Sequence, residues 1–174
     1  MRRVLLLWLL AWALSPACSH AQGLRFATDA NAPLTATADK VIWQQAKARA
    51  DLSGKAHITQ GPLSMKADAM HLLMGPNGEA QTLVAQGQVV VLSNMGPTSK
   101  GGERRADADT ALYDLQANTL LLSGNVRVSQ SGDLQGGKVS GQSLKIDMQS
   151  GLAHILGTGS QNNAEPGRAR IEFE

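Results

Sequence analysis

Between residues 37 and 160 apolar and polar side chains alternate with a period of two, in runs broken by glycine, proline, serine and asparagine. That alternation predicts half-buried strands rather than helices. Two elements recur. The first is Ala38-Asp39-Lys40-Val41-Ile42-Trp43, which returns as Ala67-Asp68-Ala69-Met70-His71-Leu72 and Ala108-Asp109-Thr110-Ala111-Leu112-Tyr113, and more loosely as Gly141 to Ile146. The second is Leu52-Ser53-Gly54-Lys55-Ala56-His57-Ile58, which returns as Leu122-Ser123-Gly124-Asn125-Val126-Arg127-Val128. A third copy is Ala85 to Val91, and a degraded fourth is Ile155-Leu156-Gly157. The glycines at 54, 87, 124 and 157 therefore recur at intervals of 33, 37 and 33 residues. Periods of this size mark stacked supersecondary units.

The copies agree on which side chains share a face. In the first element one face collects Val41 and Trp43, then Met70, Leu72 and Met74, then Ala111, Tyr113 and Leu115, then Leu144, Ile146 and Met148. In the second, Leu52, Ala56 and Ile58 correspond to Val89 and Val91, and to Leu122, Val126 and Val128. Lys55, His57, Arg127 and Lys145 fall on the other side. Gly61-Pro62, Gly75 to Gly78, Ser131 to Asp133 and Gln149 to Gly151 supply turns. Asn94–Arg105 reads as a long mobile loop, residues 22–35 as a disordered or edge-pairing leader, and 161–167 as a linker to a last strand at Arg168–Phe173. Strands with one apolar face must close it on something. The expected fold is all-β, two sheets folded over each other in a jelly roll or a solenoid-like stack around an elongated aliphatic interior.

Composition narrows the chemistry. Arg2 and Arg3 precede an apolar run from Val4 to Leu14, and Ser19-His20-Ala21 ends in small residues. The run is shorter than the ~20 residues that cross a bilayer, so residues 1–21 read as a signal peptide cut after Ala21. An uncleaved anchor and a lipidated Cys18 are the alternatives; Leu14 lies four residues before Cys18 with Pro16 between them, a poor lipidation motif. Cleavage would leave 153 residues, enough for one domain with a core. It would remove the only cysteine, and with it any disulfide or thiolate. Without Arg2 and Arg3, 14 basic residues face 14 acidic ones, so no basic footprint for nucleic acid remains.

Candidate reactive residues fit structural roles better. Asp39, Asp68 and Asp109 occupy the same place in each repeat, as a turn-capping Asp at a strand start would; no catalytic residue is expected. His57, His71 and His154 lack ligand spacing, so no metal or cofactor is expected. Gly101-Gly102 and Gly136-Gly137 lack the strand-to-helix setting of a phosphate loop. Lys100, Arg104 and Arg105 form one basic cluster, either a solvated loop or a contact for phosphorylated sugar headgroups.

The Leu-Ser-Gly-x-Val-x-Val-x-Gln strand, the Ala-Asp-x-x-x-Tyr strand and the signal peptide together resemble the OstA-like (LptA) family of periplasmic lipopolysaccharide-transport proteins. The resemblance covers roughly Thr37 to Ser160, within a domain of residues 22–160 followed by residues 161–174 as linker and edge strand. It implies a twisted β-jelly roll whose open apolar groove, lined by the face described above, holds the acyl chains of lipopolysaccharide. It also implies a periplasmic bridge of protomers joined head to tail, docking an inner-membrane anchor component and an outer-membrane barrel component. The competing reading is a β-solenoid interaction module that filaments or binds glycan without carrying lipid.

Overall fold

The computed structural model describes residues 26, 28–94, 102–131, 137–157 and 170–173. Ten strands run β1 (Leu34–Thr37), β2 (Lys40–Gln44), β3 (Arg49–Gln60), β4 (Leu63–Met74), β5 (Ala80–Asn94), β6 (Glu103–Asp114), β7 (Thr119–Ser131), β8 (Gly137–Asp147), β9 (Ala153–Leu156) and β10 (Arg170–Phe173). A 3-10 turn, Gln45–Lys47, joins β2 to β3. Instead of two sheets there is one, antiparallel throughout. Its order is β1-β3-β4-β5-β6-β7-β8-β10, with β2 also on β3 and β9 also on β8.

The single sheet still makes two layers because it is creased. Register slips by one residue between Ser53 and Ala56, between Gln86 and Val89, and between Ser123 and Val126. At each slip two consecutive residues hold left-handed backbone: Gly54 and Lys55, Gly87 and Gln88, Gly124 and Asn125. These are the recurrent glycines of the sequence. Each places an extra residue in β3, β5 or β7, and a bulge bends and twists its strand. A methyl group at any of the three glycines would come under 3 Å from the carboxylate of Asp39, Asp68 or Asp109 respectively.

Aligned across the sheet, the bulges divide it into two halves. The first holds β2, Arg49–Ser53, Ala69–Met74, Ala80–Gln86, Thr110–Asp114, Thr119–Ser123, Ser143–Asp147 and β9. The second holds β1, Ala56–Gln60, Leu63–Ala67, Val89–Asn94, Glu103–Ala108, Val126–Ser131, Gly137–Gly141 and β10. At both ends, then, each half terminates in a short strand of its own. Inward side chains from the two halves form one hydrophobic cluster that includes Leu52, Met70, Leu83, Val91, Ala106, Leu122 and Leu144.

Three sequence expectations change here. Asn94 ends β5 and Glu103 begins β6, so the loop is shorter than 94–105 and Arg104 and Arg105 are strand residues. Asp68 and Asp109 sit in mid-strand against a bulge rather than at a strand start. The leader contributes Phe26 to the core at 2% exposure, an aromatic ring whose burial takes a large apolar area out of water.

Candidate functional site

The inner face is the largest organised apolar feature among the described residues, and strand register arranges it in rows. In the first half, the row beside the crease reads Val41, Leu52, Met70, Ala85, Ala111, Leu122, Leu144, Ile155. The next reads Trp43, Ala50, Leu72, Leu83, Tyr113, Leu120, Ile146, Ala153. Opposite them, in the second half, lie Ala56, Ala67, Val89, Ala108, Val126 and Gly141, then Ile58, Met65, Val91, Ala106, Val128 and Val139. The rows run from one edge of the sheet to the other. Beside the crease the second wall holds only Ala, Val and Gly, against Leu and Met among the alanines of the first wall, which lets the halves approach closely there.

All of the expected groove residues share this face. Leu52, Ile58, Met70, Leu72, Val89, Val91, Tyr113, Leu122, Val126, Val128, Leu144 and Ile146 are buried, and Leu115 packs partly buried against them. Val41 and Trp43 differ. They pair with Leu52 and Ala50 on the correct face, yet are 55% and 53% exposed, because among the described residues β2 is an edge strand paired only with β3. Among the described residues the inner rows pack closely: between Leu34, Ile58, Leu63, Met65, Leu83 and Tyr113 the gap is about 10 Å³, too little for more than a single water.

The sequence reading missed the second wall's even strands. In β4 the inward residues are Leu63, Met65 and Ala67, then Met70, Leu72 and Met74. Two residues, not one, separate Ala67 from Met70, so parity reverses at Asp68-Ala69. The same reversal separates Ala106 and Ala108 from Ala111 and Tyr113. A single alternation carried across each strand hides half of the face; the Ala-Asp pair was the available signal.

Polar groups gather at the roll's rim. Tyr113 Oη donates to Asn118 Oδ1 at 3.1 Å and, across the interior, to Gln60 Oε1 at 3.4 Å. Burial raises the Tyr113 phenol above its ordinary pKa, an effect that Thr28 partly offsets. The leader sits on the same corner: Gln60 Nε2 donates to the Ala30 carbonyl at 3.4 Å. Of the expected basic cluster, Arg104 and Arg105 turn to opposite faces of β6. Arg104 is inward and 4% exposed, with Nε donating to Gln130 Oε1 at 3.0 Å. Arg105 is outward, with Nε donating to both carboxylate oxygens of Asp107. Lys100 lies outside the described residues.

On the outer face Asp51 is a hub. It accepts from Arg49 Nε at 2.5 Å and from Gln44 Nε2, and lies 2.6 Å from His71 Nδ1. Hydrogen bonding from Arg49, with a smaller share from His71, holds its carboxyl at about 2 against an ordinary 3.8. The cluster fastens edge strand β2 through β3 to β4. His57 Nε2 pairs with Ser64 Oγ at 2.9 Å. A cavity of about 360 Å³ is lined by Asp107, Arg127, Ser129, Lys138 and Ser140 together with Val128 and Val139, so a mixed-charge surface there meets the end of an inner apolar row. Among the described residues no three His, Cys, Asp or Glu converge on a metal-sized space.

A family model described as "LptA/(LptD N-terminal domain) LPS transport protein" matches residues 35–152. Among solved structures the chain is similar to LptH from Pseudomonas aeruginosa, described as the LptA homologous periplasmic component of the conserved lipopolysaccharide transport device. The TM-score is 0.70 at 21% identity, with 85% of this chain and 99% of that one covered. At that identity the likeness is one of fold. No curated protein matches the chain significantly.

Proposed function

This chain belongs to the LptA/LptD N-terminal domain family of lipopolysaccharide-transport proteins, and we propose that its creased inner face carries the acyl chains of lipopolysaccharide across the periplasm. Family membership makes it a transport component, not an enzyme. The observation that carries the finer reading is the continuity of the inner rows, which are apolar from β2 to β9 without interruption. A saturated chain lying along them gains about 0.8 kcal/mol per buried methylene and needs no directional contact. Because the inner rows pack closely, cargo enters by parting the two walls, and each displaced contact between them offsets part of that gain. The net affinity is therefore set by a difference, as a carrier that must release its load requires. Val41 and Trp43, on the inner face and exposed, are the natural first contact.

The same reading places the chain in the periplasm after removal of residues 1–21, which lie outside the described residues. It joins protomers head to tail. Each half ends in its own short strand at both ends, so β9 and β10 of one protomer can extend β2 and β1 of the next by strand addition, continuing both walls. The free ends would dock the inner-membrane anchor and the outer-membrane barrel.

Photo-crosslinkers at Leu72, Val128 and Ile146 are expected to capture lipopolysaccharide, and those at Lys55, Arg127 and Lys145 are not. Equal capture by both sets would remove the groove. Mass spectrometry of lipid from gently purified protein separates this reading from an interaction module, which would come away without lipid.

A further inference from the structure

Outside the two apolar rows of the second half runs a third, at the rim: Leu34, Gln60, Leu63, Ser93, Arg104 and Gln130, neighbours in register from β1 to β7. All are inward. Gln60, Ser93 and Arg104 are buried, and Gln130 is half-buried. From crease to rim this wall therefore passes from Ala and Val, through Ile, Met and Val, to a row in which two leucines stand beside two amides, a hydroxyl and a guanidinium. The facing wall is less polar at its rim: Met74, Leu115 and Met148 lie outermost there, with Asn118 beside Met148 and the Tyr113 hydroxyl shared between Asn118 and Gln60.

We propose that this rim row is the headgroup subsite of the cargo, with Arg104 receiving a lipid phosphate and the amides of Gln60 and Gln130 the adjoining sugar hydroxyls. The assignment rests on the acyl-carrier reading above and gives it a direction. An amphiphile seated here has its chains toward the crease and its phosphorylated end outward. Two row spacings separate rim from crease, about 13 Å at roughly 3.3 Å per residue, deep enough for the proximal part of a chain while its remainder lies along the rows. A guanidinium is the side chain suited to a phosphate, since its fork of donors matches two oxygens at once. Gln130 holds Nε and so fixes the plane of that fork. Arg104 is reached only when the walls part, so headgroup binding follows entry of the chains and registers the lipid after it is loaded. Arg105, one residue on and outward, has the same charge and cannot serve.

The test is equilibrium binding of two probes to the full chain: diphosphoryl lipid A and the same lipid with both phosphates removed. The wild type is expected to prefer the diphosphoryl form by about tenfold, the worth of one charge-assisted hydrogen-bonded contact. Arg104→Met and Arg104→Gln are expected to bind both forms alike, and Arg105→Gln to keep the preference. Because removing a buried charge can disturb folding, Gln130→Leu serves as an independent variant and is expected to narrow the preference while leaving Arg104 in place. No preference in the wild type, or an undiminished one in a folded Arg104 variant or in Gln130→Leu, would overturn the subsite and leave the acyl carrier standing. Failure of the wild type to bind either lipid would instead overturn the carrier. Inorganic phosphate alone is expected not to saturate the protein at millimolar concentration; saturable binding would make this a free-anion site and defeat the headgroup assignment.

Discussion

Gly87 has a φ of +77° and stands against Asp68, and Gly54 and Gly124 repeat the arrangement with Asp39 and Asp109. Gly87→Ala meets two obstacles, left-handed backbone and a carboxylate where its methyl must go. Urea denaturation should show a loss of about 1–3 kcal/mol, and adding Asp68→Ala should recover the steric part alone. Asp109 also accepts from Asn125 Nδ2 at 2.9 Å, so Asp109→Asn should cost about 1 kcal/mol with lipid binding intact; loss of binding in a stable protein would give these carboxylates another role. Asp51 predicts a pH response. Its folded pKa, about 2, lies below the ordinary 3.8, so its contribution is complete above the unfolded value and vanishes as pH falls through the folded one. Thermal melts of wild type and Asp51→Asn should therefore converge between pH 4 and pH 2 and stay parallel above. Curves that remain equally separated down to pH 2 would deny the hub.

At the scale of the element, β2 is the exception in a buried array. Four of its five residues are exposed, and it is held by its ladder to β3 and by Gln44 on Asp51. With Trp8 and Trp12 replaced by Phe, Trp43 is the only indole left, and its emission should be that of a wet ring. Adding lipopolysaccharide should shift it to the blue; an unmoved spectrum would take β2 out of the loading path. Much of this was legible in the sequence. Leu52, Ala56 and Ile58 against Lys55 and His57 gave the strands and their faces, and glycine spacing gave the repeat, though not the mid-strand bulge that makes the crease. The rest was not, for identifiable reasons. Parity reverses at Asp68-Ala69 because alternate strands lack the extra bulge residue, and only the recurring Ala-Asp pair marks the place. Trp43 had the right face, but exposure depends on whether another strand lies beyond. Phe26 offers no pattern at all, and Arg104 looked like loop because a charge among glycines says nothing of the strand it begins.

For the whole molecule, the edges decide what the protein can build. Unpaired strand edges recruit further strands, and here both walls end at both ends in short strands. Light scattering over a wide concentration range should reveal linear oligomers that a chain lacking residues 161–174, and with them β10, forms less readily. A strict monomer, or a closed dimer indifferent to the truncation, would refute head-to-tail growth. The bulges carry a different consequence, for how such a protein can change length. Only β3, β5 and β7 hold the extra residue at the crease, and β4, β6 and β8 alternate with them without it. Inserting one strand would set two of a kind side by side, misalign the fold line and turn one wall's greasy side chains outward. Inserting a consecutive pair, about 37 residues from Gly87 to Ser123, restores the alternation. A longer relative should thus have grown by hairpins, and a gene duplicating that segment should yield a longer trough, whereas one duplicating half of it should yield aggregate.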